Sequence, residues 1–327
     1  MTQRQRILTG DTPTGRLHLG HLVGSLENRV RLQAIHECYF LIANIHAFTT
    51  RADQPATIRR DTFEIIRDYL AVGIDPAQAT FVVQSEIPAI AELTVLLAML
   101  LPYQRVMRNP TLNHELETKG LAEHYSFGFP LYAVGQCADI LAFRGQLVPV
   151  GEDQLAHIEM CREVARRFNQ TYQREVFPIP EPLVGRVPRL VGTDGKHKMS
   201  KSLDNAIFLS DDTATIKAKV GKLYTGRQSI DEPGDPDNAL FQYVRTFLPE
   251  DAPELAARYA RGGIGDGAIK QQVAAAVDRL LAPIRERRRA SPDEARLVEL
   301  LREHTRRANA VADVTLREAK AAMCLGL

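Results

Sequence analysis

Three short apolar runs constrain this chain most. Cys38-Tyr39-Phe40-Leu41-Ile42-Ala43, Thr80-Phe81-Val82-Val83-Gln84 and Leu147-Val148-Pro149-Val150 have no polar residue in their interiors. A strand with one wet face alternates; a strand covered on both faces does not. Arg6-Ile7-Leu8-Thr9 reads as a strand before them, followed by a glycine-bearing turn and a helix starting near Gly20. Helical spacing fills the gaps. Phe63, Ile66 and Leu70 share one face, with Gly73 as the stop, and Ile158, Cys161, Ala165 and Phe168 share another. This βαβα rhythm predicts an α/β fold with a Rossmann-like, doubly wound parallel sheet.

After Phe208 the strand signals stop. Segments 211–222, 237–247, 267–288 and 293–323 read as helices. Ser291-Pro292-Asp293-Glu294 has the spacing of a capping box with proline in the first helical position. With 327 residues, the chain has room for about two domains. The expected division is a Rossmann-like domain over 1–208 and an all-helical domain over 209–327.

Hydrophobic content of 45% and charged content of 25% are those of a globular protein. No stretch of eighteen apolar residues appears, and the start, Met1-Thr2-Gln3-Arg4-Gln5, lacks a secretion pattern. Cys38, Cys137, Cys161 and Cys324 are scattered without metal-ligand spacing, as in a reduced, cytoplasmic protein. A net charge of +1 neither announces nor excludes a nucleic-acid partner, because a local basic patch suffices for phosphate contact. The densest patch is Arg285-Glu286-Arg287-Arg288-Arg289, with Arg302, Arg306 and Arg307 beyond it. It reads equally as a solvated helix face or a phosphate surface.

Two motifs carry chemistry. Thr12-Pro13-Thr14-Gly15-Arg16-Leu17-His18-Leu19-Gly20-His21 leaves the first strand, turns and enters a helix. A helix N-terminus there offers N–H groups and a positive dipole end to phosphate. His18 and His21, three apart, can face one ligand. They have no third metal ligand nearby, and core histidines remain the plain alternative. Far downstream, Lys196-His197-Lys198-Met199-Ser200-Lys201-Ser202 sets mobile ammonium groups on one loop. Such cations speed a reaction when they engage charge that builds in the transition state. The P-loop pattern is absent.

The two motifs, in this order and about a domain apart, resemble the HIGH and KMSKS signatures of class I aminoacyl-tRNA synthetases. Between and beyond them the chain resembles the tryptophanyl-tRNA synthetase family over most of its length. Ala71-Val72-Gly73-Ile74-Asp75-Pro76 leads to Gln84-Ser85-Glu86-Ile87-Pro88, and Tyr132-Ala133-Val134-Gly135-Gln136-Cys137-Ala138-Asp139-Ile140 follows. Val148-Pro149-Val150-Gly151-Glu152-Asp153-Gln154-Leu155-Ala156-His157 is the most specific match. Pro233-Gly234-Asp235-Pro236-Asp237-Asn238 and the ending Ala321-Ala322-Met323-Cys324-Leu325-Gly326-Leu327 extend it.

The resemblance implies activation of tryptophan by ATP, with Mg²⁺ on the phosphates, then transfer to tRNA(Trp). It implies Lys198, Lys201, His18 and His21 as catalytic residues. ATP would lie against Thr12, Pro13, Thr14, Gly20, His21, Gly151, Asp153 and Lys198-Met199-Ser200-Lys201-Ser202. Tryptophan would lie against Leu8, Gly10, His46, Tyr132, Gln136, Asp139, Val150 and Gln154. In that scheme Asp139 accepts from the indole N–H, and Tyr132 and Gln154 hold the amino group. The helical domain would read the anticodon, with the basic patch on RNA phosphates. The chain departs from common family residues at Thr12, where glutamine is frequent, at Asn44, where aspartate is, and at Ala133, where proline is. No protein metal site is expected. A homodimer is expected, partly from the family and partly from the apolar run 93–101 with Val95, Leu96, Leu97, Met99 and Leu100. The rival readings are a tyrosyl-tRNA synthetase and a synthetase-like paralogue with a binding or regulatory role.

Overall fold

The computed structural model describes residues 4–325 except 119, 122–123, 185–189, 202 and 228; the side chain of Asp153 is also outside the described set. Ser202, Gly326 and Leu327 therefore lie outside the described residues. Five strands form one parallel sheet: β1 (Arg6–Asp11), β2 (Glu37–Ile42), β3 (Ala79–Val83), β4 (Leu147–Val150) and β5 (Glu181–Val184). Their spatial order is β3-β2-β1-β4-β5. The order reverses between β1 and β4, so the crevice beyond their carboxyl ends is where such a sheet opens to ligands. The expected α/β fold is borne out.

Each strand splits its side chains between two cores. Ile7, Phe40, Ile42 and Phe81 join Tyr69 on one face. Leu8, Tyr39, Leu41 and Val82 join Leu93, Leu97, Phe129 and Phe168 on the other. That double coverage explains the unbroken apolar runs. β5 gave no such signal. Its residues are exposed or half-buried, and Pro182 interrupts the pattern, as proline does on an edge strand.

The helices after residue 208 pack back onto both faces. Leu240, Phe241, Val277 and Leu297 belong to the same core as Ile7 and Phe40. Ala308, Ala312 and Ala319 of helix Glu294–Ala322 belong to the other. That last helix covers the edge of β3: the Phe81 N–H donates to His304 Nδ1 at 2.9 Å. An edge strand's free N–H groups are thereby closed to other chains. The start of this helix corrects one expectation. Asp293, not Ser291, is the cap, accepting from the Arg296 N–H at 2.9 Å, and Pro292 lies before it. Helix Ala252–Arg261 has no counterpart among the expected segments.

The Arg285–Arg289 patch is also corrected. Arg285 pairs with Asp278 at 2.7 Å, and Arg287 donates to the Ala71 carbonyl at 2.5 Å. Arg288 pairs with both Glu64 and Asp68. Arg287 and Arg288 hold helix Asp266–Arg289 against helix Pro55–Val72, while Arg285 is tied within its own helix and to the Asp211 carbonyl. Among the described residues, no helix is long and apolar enough to cross a membrane.

Candidate active site

β1 ends at Asp11 and the chain turns through the first signature. Gly10 lies so close to β2 that a Cβ there would meet the Leu41 carbonyl oxygen at 2.3 Å. Gly15 turns with φ +101°, a conformation glycine adopts without strain. Arg51 donates to the Pro13 carbonyl and pairs with Asp61 at 2.9 Å, which fixes the turn from below. Helix Leu19–His21 then continues through a π turn, Leu22–Leu26, into Glu27–Leu32. π turns inside helices often accompany functional sites.

The expected row of unpaired N–H groups at this helix start is not there. The Leu19 N–H donates to the Ile207 carbonyl at 2.8 Å and the His21 N–H to the His18 carbonyl at 2.8 Å. The Gly20 N–H meets only the soft Met199 sulfur, at 3.4 Å. The polar groups on offer are side chains. The His18 and His21 rings lie 3.7 Å apart between centroids. His21 Nδ1 accepts from the His18 N–H at 3.2 Å, which leaves the His21 proton on Nε2 as a donor. His18 Nδ1 is buried without a hydrogen-bond partner. Burial, then the neighbouring His21 and the lysines, pushes His18 down to about 2. Burial also dominates at His21, which falls to about 4 despite the Asp11 charge. Both imidazoles are neutral donors at physiological pH.

The second signature lies directly on the first. Lys201 Nζ donates to Thr14 Oγ1 and to the Gly15 carbonyl, each at 2.9 Å. Burial lowers its pKa to about 8 against the pull of Asp11, Asp61 and Asp68. Lys198 is exposed, Met199 is buried, and Ser200 is half-buried with its N–H donating to Asn205 Oδ1 at 2.7 Å. Asn205 also donates to Asp194 Oδ2 at 3.1 Å, which ties the loop's lead-in to its exit. Residues 207–209 complete the contact, with Leu209 N–H donating to the Leu17 carbonyl at 3.1 Å.

Behind His21 lies a buried triad that the sequence reading missed. Asp11 Oδ2 accepts from Arg29 at 2.7 Å and from the Tyr69 hydroxyl at 2.6 Å. Burial would raise the Asp11 carboxyl, but Arg29 and then His21 hold it at about 2. Arg29 stands in the mostly polar stretch Glu27-Asn28-Arg29-Val30-Arg31-Leu32, so nothing in the sequence marks it as buried, although a buried guanidinium needs a paired acid.

The second cluster lies on the other side of β1. Leu8 and Gly10 share one face of that strand by alternation. Across from them runs helix Gly128–Ala142. Tyr132, Gln136 and Asp139 fall on one of its faces by i, i+4, i+7 spacing. Asp139 is 2% exposed. Burial raises its carboxyl to about 7, and the Gln84 hydrogen bond opposes the rise. Gln84 Nε2 donates to its oxygens at 2.8 and 3.0 Å and meets His46 Nε2 at 2.9 Å. The Tyr132 ring lies 5.6 Å from that of His46 and 5.8 Å from that of His157. Burial pushes the Tyr132 phenol up, so it stays a neutral donor. Val150 ends β4; Gly151, the Asp153 backbone and Gln154 follow in the turn that enters helix Leu155–Thr171. Thr12 is exposed at the mouth, and Asn44 exchanges two hydrogen bonds with Ser85, at 2.8 and 3.0 Å. Gln84 entered the sequence reading only as part of a matching stretch, not as a site residue.

The chain is similar to known proteins over nearly its whole length. The model of the tRNA synthetases class I (W and Y), the one-letter codes for tryptophan and tyrosine, matches residues 1–282. A tryptophan--tRNA ligase of Treponema pallidum is 45% identical over 98% of this chain and 97% of its own length. One from Clostridium longisporum is 43% identical over 97% of this chain and 96% of its own. The tryptophanyl-tRNA synthetase of Campylobacter jejuni, solved with ADP and tryptophan, superposes with a TM-score of 0.84 at 30% identity, covering 98% of this chain and all of that one. The family model covers residues 1–282, and relatives 43% and 45% identical align nearly end to end, so the chain belongs to the tryptophanyl branch of the class I tRNA synthetases.

Proposed function

We propose that the chain is a tryptophan--tRNA ligase that forms tryptophanyl-adenylate from tryptophan and ATP and then acylates tRNA(Trp). The single observation that carries the ATP step is Lys201 seated on the Thr14–Gly15 turn. It joins a cation to two neutral imidazoles around one crevice. The tryptophan carboxylate attacks the α-phosphorus in line, and pyrophosphate leaves with charge building on it. Lys201 and Lys198 engage that charge; His18 and His21 donate to phosphate oxygens. No covalent nucleophile is needed, because positioning and charge stabilisation supply the rate.

Thr12, Pro13, Thr14, Gly20, Gly151, Asp153, Met199, Ser200 and Ser202 complete the nucleotide site in this reading. Mg²⁺ would enter on the triphosphate, as it does where substrate phosphates supply its ligands. Leu8, Gly10, His46, Tyr132, Gln136, Val150 and Gln154 surround the amino acid, and Asp139 accepts from the indole N–H. A buried acceptor of this kind rejects side chains that leave it unmatched. Tryptophan rather than tyrosine is favoured by the relatives at 43–45% identity, which carry that name.

Residues 209–327 form the tRNA-reading part in this proposal. With Arg285, Arg287 and Arg288 committed elsewhere, exposed Arg302, Arg306 and Arg307 are the better candidates for phosphate contact. A homodimer is supported by an exposed apolar surface. Val95 is 51% exposed and Met99 73%, while their neighbours Leu93 and Leu97 are buried. We place the enzyme in the cytoplasm, where its tRNA is. Charging of tRNA(Trp) with radiolabelled tryptophan tests the whole reading; charging with tyrosine in its place would overturn it.

A further inference from the structure

We propose that Gln84 is a positioning residue for amino-acid choice: it orients the Asp139 carboxylate and fixes the tautomer of His46. This rests on the reading that Asp139 receives the indole N–H. Gln84 is 1% exposed and sits in the turn that follows β3. Its amide orientation is decided by the backbone. Oε1 accepts from the Ile45 N–H at 3.1 Å and the His46 N–H at 3.3 Å. The nitrogen must therefore face Asp139 and His46.

That nitrogen has two protons. Asp139 Oδ1 and Oδ2 lie at 2.8 and 3.0 Å, so one proton is shared across the carboxylate. The other points at His46 Nε2, at 2.9 Å. His46 Nε2 must accept, which puts the ring's own proton on Nδ1. Nδ1 in turn faces Asp139 Oδ2 at 3.8 Å. Burial, followed by His157, pushes His46 down to about 4, which fits a neutral ring. One lone pair on each Asp139 oxygen is used by none of these hydrogen bonds. A substrate N–H is the group that completes it.

The surroundings hold Gln84 rigidly. Phe81, three residues before it, donates to His304, and Glu86, two after, accepts from Asn309 Nδ2 at 2.9 Å. Both partners are on the last helix. Ser85 is held by Asn44. Across the cluster, a Cβ at Gly135 would meet His46 Nε2 at 2.8 Å, so that helix position leaves room for the ring.

The test is a substrate–variant cycle read by ATP–pyrophosphate exchange. Tryptophan is compared with its benzothiophene analogue, in which sulfur replaces the indole N–H. The wild type should favour tryptophan in kcat/KM, by on the order of tenfold or more. Gln84→Met should pull the ratio of the two toward one, because its loss falls on the substrate that uses the oriented carboxylate. Gln84→Glu retains an acceptor for the Ile45 and His46 N–H groups and should do the same; it decides the matter if Q84M does not fold. A wild-type preference that either folded variant leaves intact overturns the proposal alone. A wild-type ratio near one overturns the indole reading, and the proposal with it.

Discussion

Lys201 Nζ lies 2.9 Å from the Gly15 carbonyl oxygen, closing a contact between residues 186 apart in sequence. A cation is thereby held at the turn beneath two uncharged imidazoles. Such an arrangement acts on charge that appears during reaction, so its loss should fall on rate more than on amino-acid binding.

Lys201→Ala should lower kcat for adenylate formation by about 2–4 kcal/mol of activation free energy, comparable with losing one preorganised donor to a developing anion. The KM for tryptophan should change little. Steady-state exchange kinetics decide it: a loss confined to the KM for tryptophan contradicts the role.

Asp139→Ala should raise the KM for tryptophan at nearly constant KM for ATP, at a cost of about 1–3 kcal/mol for a lost buried hydrogen bond. Normal tryptophan kinetics in this variant would remove Asp139 from the pocket.

The same carboxylate sets a pH dependence. Burial raises Asp139 to about 7, so the free enzyme loses the charged acceptor as pH falls through 7. Tryptophan affinity should weaken from pH 8 to pH 6, with the midpoint moved down once substrate occupies the site. For folding the sign is opposite. A carboxyl raised above its unfolded value binds a proton in the native state first, so this group costs stability as pH rises from about 4 to 7. Fluorimetric or calorimetric titration of binding at several pH values checks the first part; affinity that is flat across the range contradicts it.

Arg288→Ala should destabilise the fold by about 3–5 kcal/mol, because it strips the counter-charge from a buried carboxylate. Asp68 is 0% exposed and also accepts from the Leu17 N–H at 2.7 Å, next to His18. Burial raises Asp68 to about 6 against the pull of Arg288. Chemical denaturation measures the loss. A variant as stable as wild type, yet weak in tRNA binding, would restore the phosphate reading of this arginine.

The strand core was legible because both faces of β2 and β3 are covered, which writes continuous apolar runs into the chain. β5 was not, because an edge strand with Pro182 needs no such run. The two signatures were legible as motifs, and their contact is local to the residues that spell them. The buried partners were harder. Asp11, Arg29 and Tyr69 meet from three separate elements, as do Gln84, His46 and Asp139, and no spacing rule links them. The arginine cluster misled for a related reason. Charge density in sequence does not reveal whether acids such as Glu64 and Asp68 wait on a neighbouring helix.

The most direct test is ATP–pyrophosphate exchange by the purified chain with each amino acid supplied singly. Tryptophan should drive exchange, with tyrosine and phenylalanine lower by at least two orders of magnitude, the discrimination a dedicated buried acceptor allows. Exchange driven equally by tyrosine, or no exchange with any amino acid, would contradict the assignment of this crevice to tryptophan activation.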